Sequence, residues 1–535
     1  MTQLTTCRSD LDDGAAGAPL YDLAFVGAGA STSYVLLALL GALATAPPPR
    51  ALRIAVVERA RDPYPGLAYG SRAARTALLI TPLRDFLPDG ERKHFTDWLA
   101  ANKDWAFDEY LAAEGPVSAR WWQRHSEAVA RDDFEDLFLP RHVFGTYLAL
   151  RVRDAVDQAA EAGAAIVDVV RDEVVAIETG PSAHRLSCRG GTVLARQTVL
   201  ATGSSTIQPR LSGAAPTAAA VLVDDPYDGM DDVAGRIRES LERMGPDEPA
   251  PHVVLLGGNA GTMDMLYQVA DLDVVAARGA VVTVLSPRGE LPERMERARE
   301  DVPFTAECLG ALTEGTGVTA AQVFEAALAD LERGRRAGYS VADTLAPISE
   351  GVMAVLPRLS AEETLEYAGH WGVELGRHQR RAGWEYWEVV EELTAAGRLS
   401  VVGGSFTGLE ATEGRGVRVL YERGGVRTEL DRPADVVINC AGPARHLRDT
   451  DPSLVATLID EGVVRPTAYG GGIEVQPSLE AAPGLHVMGP LLAGNLVHGR
   501  PVWHMEHCGR ISAFGTALGI QLAESLTADV RTPAG

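Results

Sequence analysis

Short apolar runs that end in glycine turns alternate with longer helical stretches along most of this chain. The first run, Tyr21 to Val26, reads as a buried strand, followed by the tight turn Gly27-Ala28-Gly29-Ala30-Ser31-Thr32 and a helix from Ser33 to Leu43. A second strand, Arg53 to Val57, ends at Glu58 and completes a βαβ unit. Residues 61 to about 135 are irregular, rich in Pro, Trp and charge, with a helical piece at His94 to Ala101, and read as an insertion over the first sheet. The pattern then predicts a helix from Gly145 to Ala162, two alternating segments (Ala165 to Ile177 and Leu186 to Leu194) and a short strand, Thr198 to Ala201, that runs into Thr202-Gly203. A second unit starts at His252 to Leu256, turns through Gly257-Gly258-Asn259-Ala260-Gly261-Thr262 into a helix, and returns at Val281 to Leu285. Helical periodicity fills residues 300 to 395, strands come back at Leu399 to Val402, Val417 to Tyr421 and Val436 to Asn439, and the last helix spans Gly509 to Leu526.

Each glycine turn places backbone N–H groups at a helix start where they can meet a pyrophosphate, and the acidic residue ending the next strand suits ribose hydroxyls. This assigns dinucleotide-binding roles to Gly27, Gly29, Ala30, Ser31 and Glu58, and, near the return strands, to Thr202, Gly203, Gly489 and Pro490. The third glycine of the first turn is replaced by Thr32. In the second turn Asn259 replaces the middle glycine, leaving Gly257, Gly258, Asn259, Gly261 and Thr262 as candidates for a nicotinamide coenzyme. The strand after it ends in Ser286-Pro287-Arg288, with no acid, and a cation there suits a ribose 2′-phosphate, so NADPH is expected over NADH.

The fold class that follows is α/β, with two Rossmann-like dinucleotide-binding domains and a helical insertion; the FAD domain is split in sequence and the NAD(P) domain sits inside it. The expected segments are a tail at 1–19, the first part of the FAD domain at 20–225, the NADPH domain at 226–400, the second part of the FAD domain at 401–526 and a tail at 527–535. A length of 535 residues is ample for this.

Composition narrows the class. The 73 acidic against 49 basic residues give a formal net charge of -24, which disfavours nucleic acid and anionic membranes. Cys7, Cys188, Cys308, Cys440 and Cys508 are scattered without a CxxC pair, so neither a zinc site nor a redox dithiol is written here. With no basic-then-apolar leader, a soluble cytoplasmic protein is expected.

Several stretches resemble the FAD-NAD(P)-binding family of two-dinucleotide-binding-domain flavoproteins, relatives of the flavin-dependent N-hydroxylating monooxygenases. They are Val26-Gly27-Ala28-Gly29-Ala30-Ser31, Pro65-Gly66-Leu67-Ala68-Tyr69-Gly70, Leu78-Leu79-Ile80-Thr81-Pro82, His94-Phe95-Thr96-Asp97-Trp98-Leu99, Leu139-Pro140-Arg141-His142-Val143-Phe144-Gly145-Thr146-Tyr147-Leu148 and Asn439-Cys440-Ala441-Gly442-Pro443. The resemblance implies that Thr81-Pro82 lies near the flavin ring, that Arg141 braces the site and that the Val174 backbone meets the adenine. The chain departs from the family pattern at Thr32, at Ile80, where asparagine is frequent, and in Trp503-His504-Met505-Glu506.

FAD with NADPH implies hydride chemistry, and the missing dithiol excludes disulfide reduction. The resemblance points to N-hydroxylation of a small amine or amino acid with O2 through a C4a-hydroperoxyflavin, which needs no acid–base dyad from the protein. The alternative is an electron-transfer reductase or a nucleotide-binding subunit without oxygen chemistry. Asn495, Arg500, Trp503 and His504 are the substrate-facing candidates, with Arg500 or Arg141 as the clamp for a substrate carboxylate. No metal is expected, and the sequence is compatible with a monomer or a homo-oligomer.

Overall fold

The first strand, β1 (Leu20–Val26), is buried from Tyr21 onward because parallel neighbours flank it on both sides, β2 (Leu52–Val57) on one and a later strand on the other. The computed structural model describes residues 19–113, 115–204, 210–211, 220–227, 229–245, 247–299, 304–442, 444, 446–449, 453–503 and 507–531. β3 (Ala165–Val170) extends the sheet beyond β2, and Asp172 then turns the chain, its N–H donating to the Val170 and Glu58 carbonyls. This turn splits the expected segment Ala165 to Ile177 into β3 and β4 (Val174–Thr179). β5 (His184–Cys188) follows antiparallel to β4, and β6 (Thr192–Leu200) does two jobs. Its first residues pair antiparallel with β5, while Leu194 to Leu200 run parallel to β1 as the missing flank, so the expected breaks at Leu194 and Thr198 are one continuous strand.

The second sheet is wholly parallel and takes strands from further along the chain than the pattern suggested. Its members are β7 (Val221–Val223), β8 (His252–Leu256), β9 (Val281–Ser286), β12 (Leu399–Gly403) and β16 (Val436–Asn439), in the order β12-β9-β8-β16-β7. A two-stranded ribbon, β10 (Glu293–Arg294) with β11 (Arg381–Ala382), and an antiparallel layer, β13 (Ser405–Ala411), β14 (Val417–Arg423) and β15 (Val426–Glu429), lie within that span. Strand pairing thus puts the crossings between sheets near residues 220 and 440, where the sequence reading put them at 225 and 401. The chain returns to the first sheet with β17 (Glu480–Ala482) and β18 (Leu485–Val487), the latter parallel to β6, and adds the hairpin β19 (Asn495–Val497) with β20 (Arg500–Val502).

Between β10 and β11 a helical insertion has its own apolar core around Leu309, Val323, Leu331, Ile348 and Tyr367. Its helices Ala320–Arg336 and Val341–Val355 begin at capping boxes, Thr319 with Gln322 and Ser340 with Asp343. The two sheets, by contrast, share one contiguous core. Among the described residues no helix is long and apolar enough to cross a membrane.

The helix after the first glycine turn, Ala30–Thr45, packs along the C-terminal helix Cys508–Arg531 through glycines. A Cβ on Gly519 would stand 2.5 Å from the Val35 carbonyl oxygen and 2.7 Å from the Ala38 Cβ. Backbone cannot yield there as a side-chain tip could, so Gly519→Val is expected to destabilise by about 1–3 kcal/mol, read as a lower thermal melting temperature, whereas Gly41→Ala, where the added carbon meets nothing within 4 Å, leaves it unchanged or higher.

Candidate functional site

The first glycine turn is closed from three sides by backbone. Gly27 has φ +94°, and a Cβ there would lie 2.5 Å from the Ala201 carbonyl oxygen at the end of β6. Gly66, φ +69°, approaches so closely that its Cβ would be 2.8 Å from the Gly29 Cα, and Gly489, φ +81°, would bring one to 2.5 Å from the Ser31 Oγ. Tyr64, held at φ +90°, donates its N–H to the Ala28 carbonyl at 2.6 Å and accepts the Ser33 hydroxyl at 2.8 Å. A non-glycine residue at positive φ persists only where surrounding bonds over-determine it, as they do here.

The helix that starts at Ala30 has no side-chain cap and no acidic residue in its first turn, so its leading N–H groups and dipole face the crevice where Gly27, Thr202-Gly203 and Gly489-Pro490 meet. Thr32 explains the departure from a third glycine: its hydroxyl donates to the Gly27 carbonyl at 2.6 Å and ties the turn together. Glu58 accepts the Ala28 and Ala60 N–H groups, each at 2.7 Å, which keeps both carboxylate oxygens at the turn with lone pairs to spare for hydroxyl donors. Thr81 Oγ1 is buried with no hydrogen-bond partner, beside Pro82, which precedes the short helix Leu83–Phe86. An uncapped helix start, a crevice that no Cβ would fit and an orphaned buried hydroxyl suit a dinucleotide. Val174 opens β4 as a buried residue.

The second turn repeats the plan. Gly257, φ +134°, would carry a Cβ 2.6 Å from the Cys440 carbonyl oxygen at the end of β16, the counterpart of Gly27 on Ala201. Gly258 backs onto Glu290 and Ser286, and Gly261 onto the Tyr227 hydroxyl. Here Asn259 has a use that glycine lacks. Its Oδ1 accepts the Thr262 N–H at 3.1 Å and its Nδ2 donates to the Cys440 carbonyl at 2.9 Å, so the turn caps itself. Arg288 is exposed after β9 and faces His378, whose pKa is lowered by burial, then by Arg288 and Arg335.

Between the turns runs a polar seam. Beyond its capping Thr262, the helix Ala260–Ala270 carries Asp264 and Gln268 among mostly apolar residues, and these with Asp271 just past its end lie at i, i+4 and i+7 on one face. That face meets the insertion of the first fold: Gln268 accepts the Thr76 hydroxyl at 2.9 Å, and Asp271 accepts the Val117 and Ser118 N–H groups at 2.8 Å, capping the helix Pro116–Ala130. At the centre, Arg141 Nη1 stands 2.9 Å from Asp264 Oδ2, with the two side chains only 11% and 2% exposed. Arg141 Nε donates to the Leu78 carbonyl, which also accepts the Tyr386 hydroxyl. Burial pushes the Asp264 carboxyl up and Arg141 only partly counters it; burial alone would lower Arg141, and Asp264 more than restores it, so the guanidinium stays charged. Arg141 is therefore spent on holding the two folds together and is not free to clamp a substrate carboxylate.

The substrate-facing candidates separate. Asn495 is corrected: its amide donates to the Ile473 and Leu492 carbonyls and accepts the Val475 N–H, so it fastens a loop from within. Trp503 packs edge-on against Tyr367 of the helical insertion, with Arg510 over its ring, and Arg500 is exposed on the β19–β20 hairpin. His504 lies outside the described residues. Sequence reasoning missed the roles of Asp264 and Gln268, although their spacing on an apolar helix was a readable signal, and of Tyr64, which had none.

Among the described residues, cysteines 188, 308, 440 and 508 form no disulfide and no cluster suits a metal ion. Burial pushes the Cys508 thiol up to about 12 and raises Cys440 further, which leaves neither reactive. A recess of about 510 Å³ lined by His184, Arg196, Glu480 and His486 lies at the opposite, N-terminal end of the parallel strands. Dinucleotides bind at the carboxyl ends of such strands, which makes the glycine turns, and not this recess, the candidate site.

Residues 24–205 match the model of the FAD-NAD(P)-binding family. Uncharacterized proteins of Mycobacterium tuberculosis and Mycobacterium bovis are 28% identical over 517 residues, 95% of this chain and 96% of theirs. Among solved structures, L-lysine 6-monooxygenase from Pseudomonas syringae aligns with a TM-score of 0.52 at 15% identity, over 95% of this chain and 99% of its own. The FAD-bound cadaverine monooxygenase of desferrioxamine biosynthesis from Erwinia amylovora aligns with a TM-score of 0.52 at 10% identity, over 95% of each chain.

The seam makes a sharp prediction. Arg141→Met strands a buried carboxylate and is expected to cost about 3–5 kcal/mol, whereas the double variant Arg141→Met/Asp264→Leu recovers most of that loss; equal melting temperatures for the single and double variants would show that the pair is not coupled. Residues 24–205 thus resemble the FAD-NAD(P)-binding family, and the whole chain shares a fold of two dinucleotide-binding domains with these solved structures.

Proposed function

We propose that this protein is an FAD-dependent, NADPH-using monooxygenase that hydroxylates the nitrogen of a small amine or amino acid. The observation that carries the reading is the pair of matching glycine turns, Gly27 on Ala201 and Gly257 on Cys440, joined across a sealed seam with no cysteine pair at either among the described residues. Two such folds without a dithiol hand a hydride from one dinucleotide to the other and leave oxygen as the natural acceptor. The fold shared with a lysine and a cadaverine monooxygenase supports the same class of chemistry.

In this reading the N–H groups of Gly29, Ala30 and Ser31 hold the FAD pyrophosphate, Glu58 its ribose, and the Thr81 hydroxyl donates toward the ring system, with Pro82, Thr202, Gly203 and Pro490 lining the path. When bound, FAD supplies hydride acceptance and oxygen activation. The protein supplies position and dryness: the Arg141–Asp264 seam and the aromatic packing of Phe138 on Trp384 keep water from the junction. Gly257, Gly258, Gly261 and Thr262 serve the nicotinamide coenzyme, and Arg288 its 2′-phosphate.

The purified protein should show a flavin spectrum. After reduction by NADPH, mixing with oxygen should give a transient absorbing species before oxidised flavin returns, with hydroxylamine formed when a substrate amine is present. Direct return of oxidised flavin, with reduction of a quinone or protein acceptor instead, would replace this reading by electron transfer. Arg288→Ala is expected to raise the KM for NADPH about tenfold, equivalent to roughly 1.4 kcal/mol, and to leave that for NADH unchanged; steady-state kinetics with both coenzymes checks this.

A further inference from the structure

The ribbon β10–β11 fixes an arginine, Arg381, that has no ion-pair partner among the described residues. Arg381 pairs with Glu293 across the ribbon by backbone, and the flanking bonds from Glu293 N–H to the Arg380 carbonyl and from Met295 N–H to the Ala382 carbonyl hold the strand on both sides. Its side chain is half-buried, and burial pulls its pKa below the ordinary arginine value while Asp85 and Glu293 oppose this from beyond ion-pair reach. Neighbouring cations are paired: Arg335 takes Glu293 at 2.6 Å, Arg294 takes Glu391 at 2.8 Å, and Arg377 takes Glu374. Among the described residues no carboxylate lies within ion-pair reach of the Arg381 guanidinium. Two residues earlier, the Gln379 Nε2 is buried without an acceptor, so this short segment holds two kinds of donor and no anion to meet them.

The place of Arg381 in the fold bears on what it can bind. Just past Arg381, Gly383 and Trp384 press on Phe138 of the first fold, with ring centroids of Trp384 and Phe138 4.6 Å apart. On the other side, Asp85 belongs to the helix Leu83–Phe86 that follows the orphaned Thr81 hydroxyl. Arg381 therefore stands where the second fold and its insertion meet the Thr81-Pro82 side of the first, and ligand sites favour such junctions. A guanidinium is the group of choice for a planar oxyanion, and a half-buried one without a partner is costly until one arrives.

The geometry points to Arg381 as an anion anchor of this junction, with Gln379 as a second donor, binding an oxyanion of a ligand that lies between the two folds: the carboxylate of an amino-acid substrate or a phosphate of the nicotinamide coenzyme. The inference rests on the two-dinucleotide reading of the site and extends it to the substrate side.

The test uses the full-length FAD-loaded protein and its Arg381→Gln and Arg381→Lys variants, titrated calorimetrically with NADP+, with L-lysine and L-ornithine, and with the decarboxylated amines cadaverine and putrescine. Arg381→Gln should weaken one oxyanion-bearing class about tenfold or more, Arg381→Lys should weaken it less, and the decarboxylated amines should bind each protein alike. Loss confined to the amino acids names the substrate carboxylate as the source, and loss confined to NADP+ names the coenzyme phosphate. Affinities within about twofold of the unsubstituted protein for both classes, no measurable binding of either, or an equal loss for the decarboxylated amines would overturn the assignment. Binding is read without turnover, so failure of the oxygen chemistry shows separately, in the flavin spectra of the unsubstituted protein.

Discussion

A single buried ion pair, Arg141 with Asp264, sets the relation between the two halves of this molecule. One partner starts the long helix Arg141–Glu161 of the first fold, and the other lies on the helix that leaves the second glycine turn. Both would be costly to bury alone, and neither can slide without stranding the other. Around them Gln268, Asp271 and the Leu78 carbonyl add directional bonds, so the seam specifies an angle as well as a contact. Apolar packing alone, which is non-directional, would hold the folds together without fixing how their turns face each other.

The turns themselves obey a simpler constraint. In each fold the first glycine lies against the carbonyl that ends the adjacent parallel strand, β6 for Gly27 and β16 for Gly257. No side chain fits such an approach, and the positive φ favours glycine a second time. Insertions as large as the helical unit between β10 and β11 are tolerated because they leave from strand ends and keep this contact intact.

This division explains what could be read in the sequence. Local features were legible: the runs at β1, β8 and β16, both glycine turns, the long helix from Gly145, which in the structure starts a turn earlier at Arg141, and the absence of a CxxC pair all follow from patterns within a few residues. Pairings between distant segments were not. Nothing local says that Val436–Asn439 joins the second sheet, that β6 pairs with both β5 and β1, or that the side chain of Asn495 is used up by Ile473 and Leu492. Arg141 was found by its motif and misread in part, because its partner lies more than a hundred residues away and only the fold brings the two together. The substitutions Thr32 and Asn259 looked like weakened fingerprints. In the structure each supplies a hydrogen bond that glycine could not.

The self-capping of Asn259 also separates the two glycine turns. The helix start at Ala30 has no side-chain cap, so its leading N–H groups all remain for a ligand. The helix start at Ala260 spends one of its own, the Thr262 N–H, on Asn259. An anion at the first turn therefore meets one more backbone donor than it would at the second.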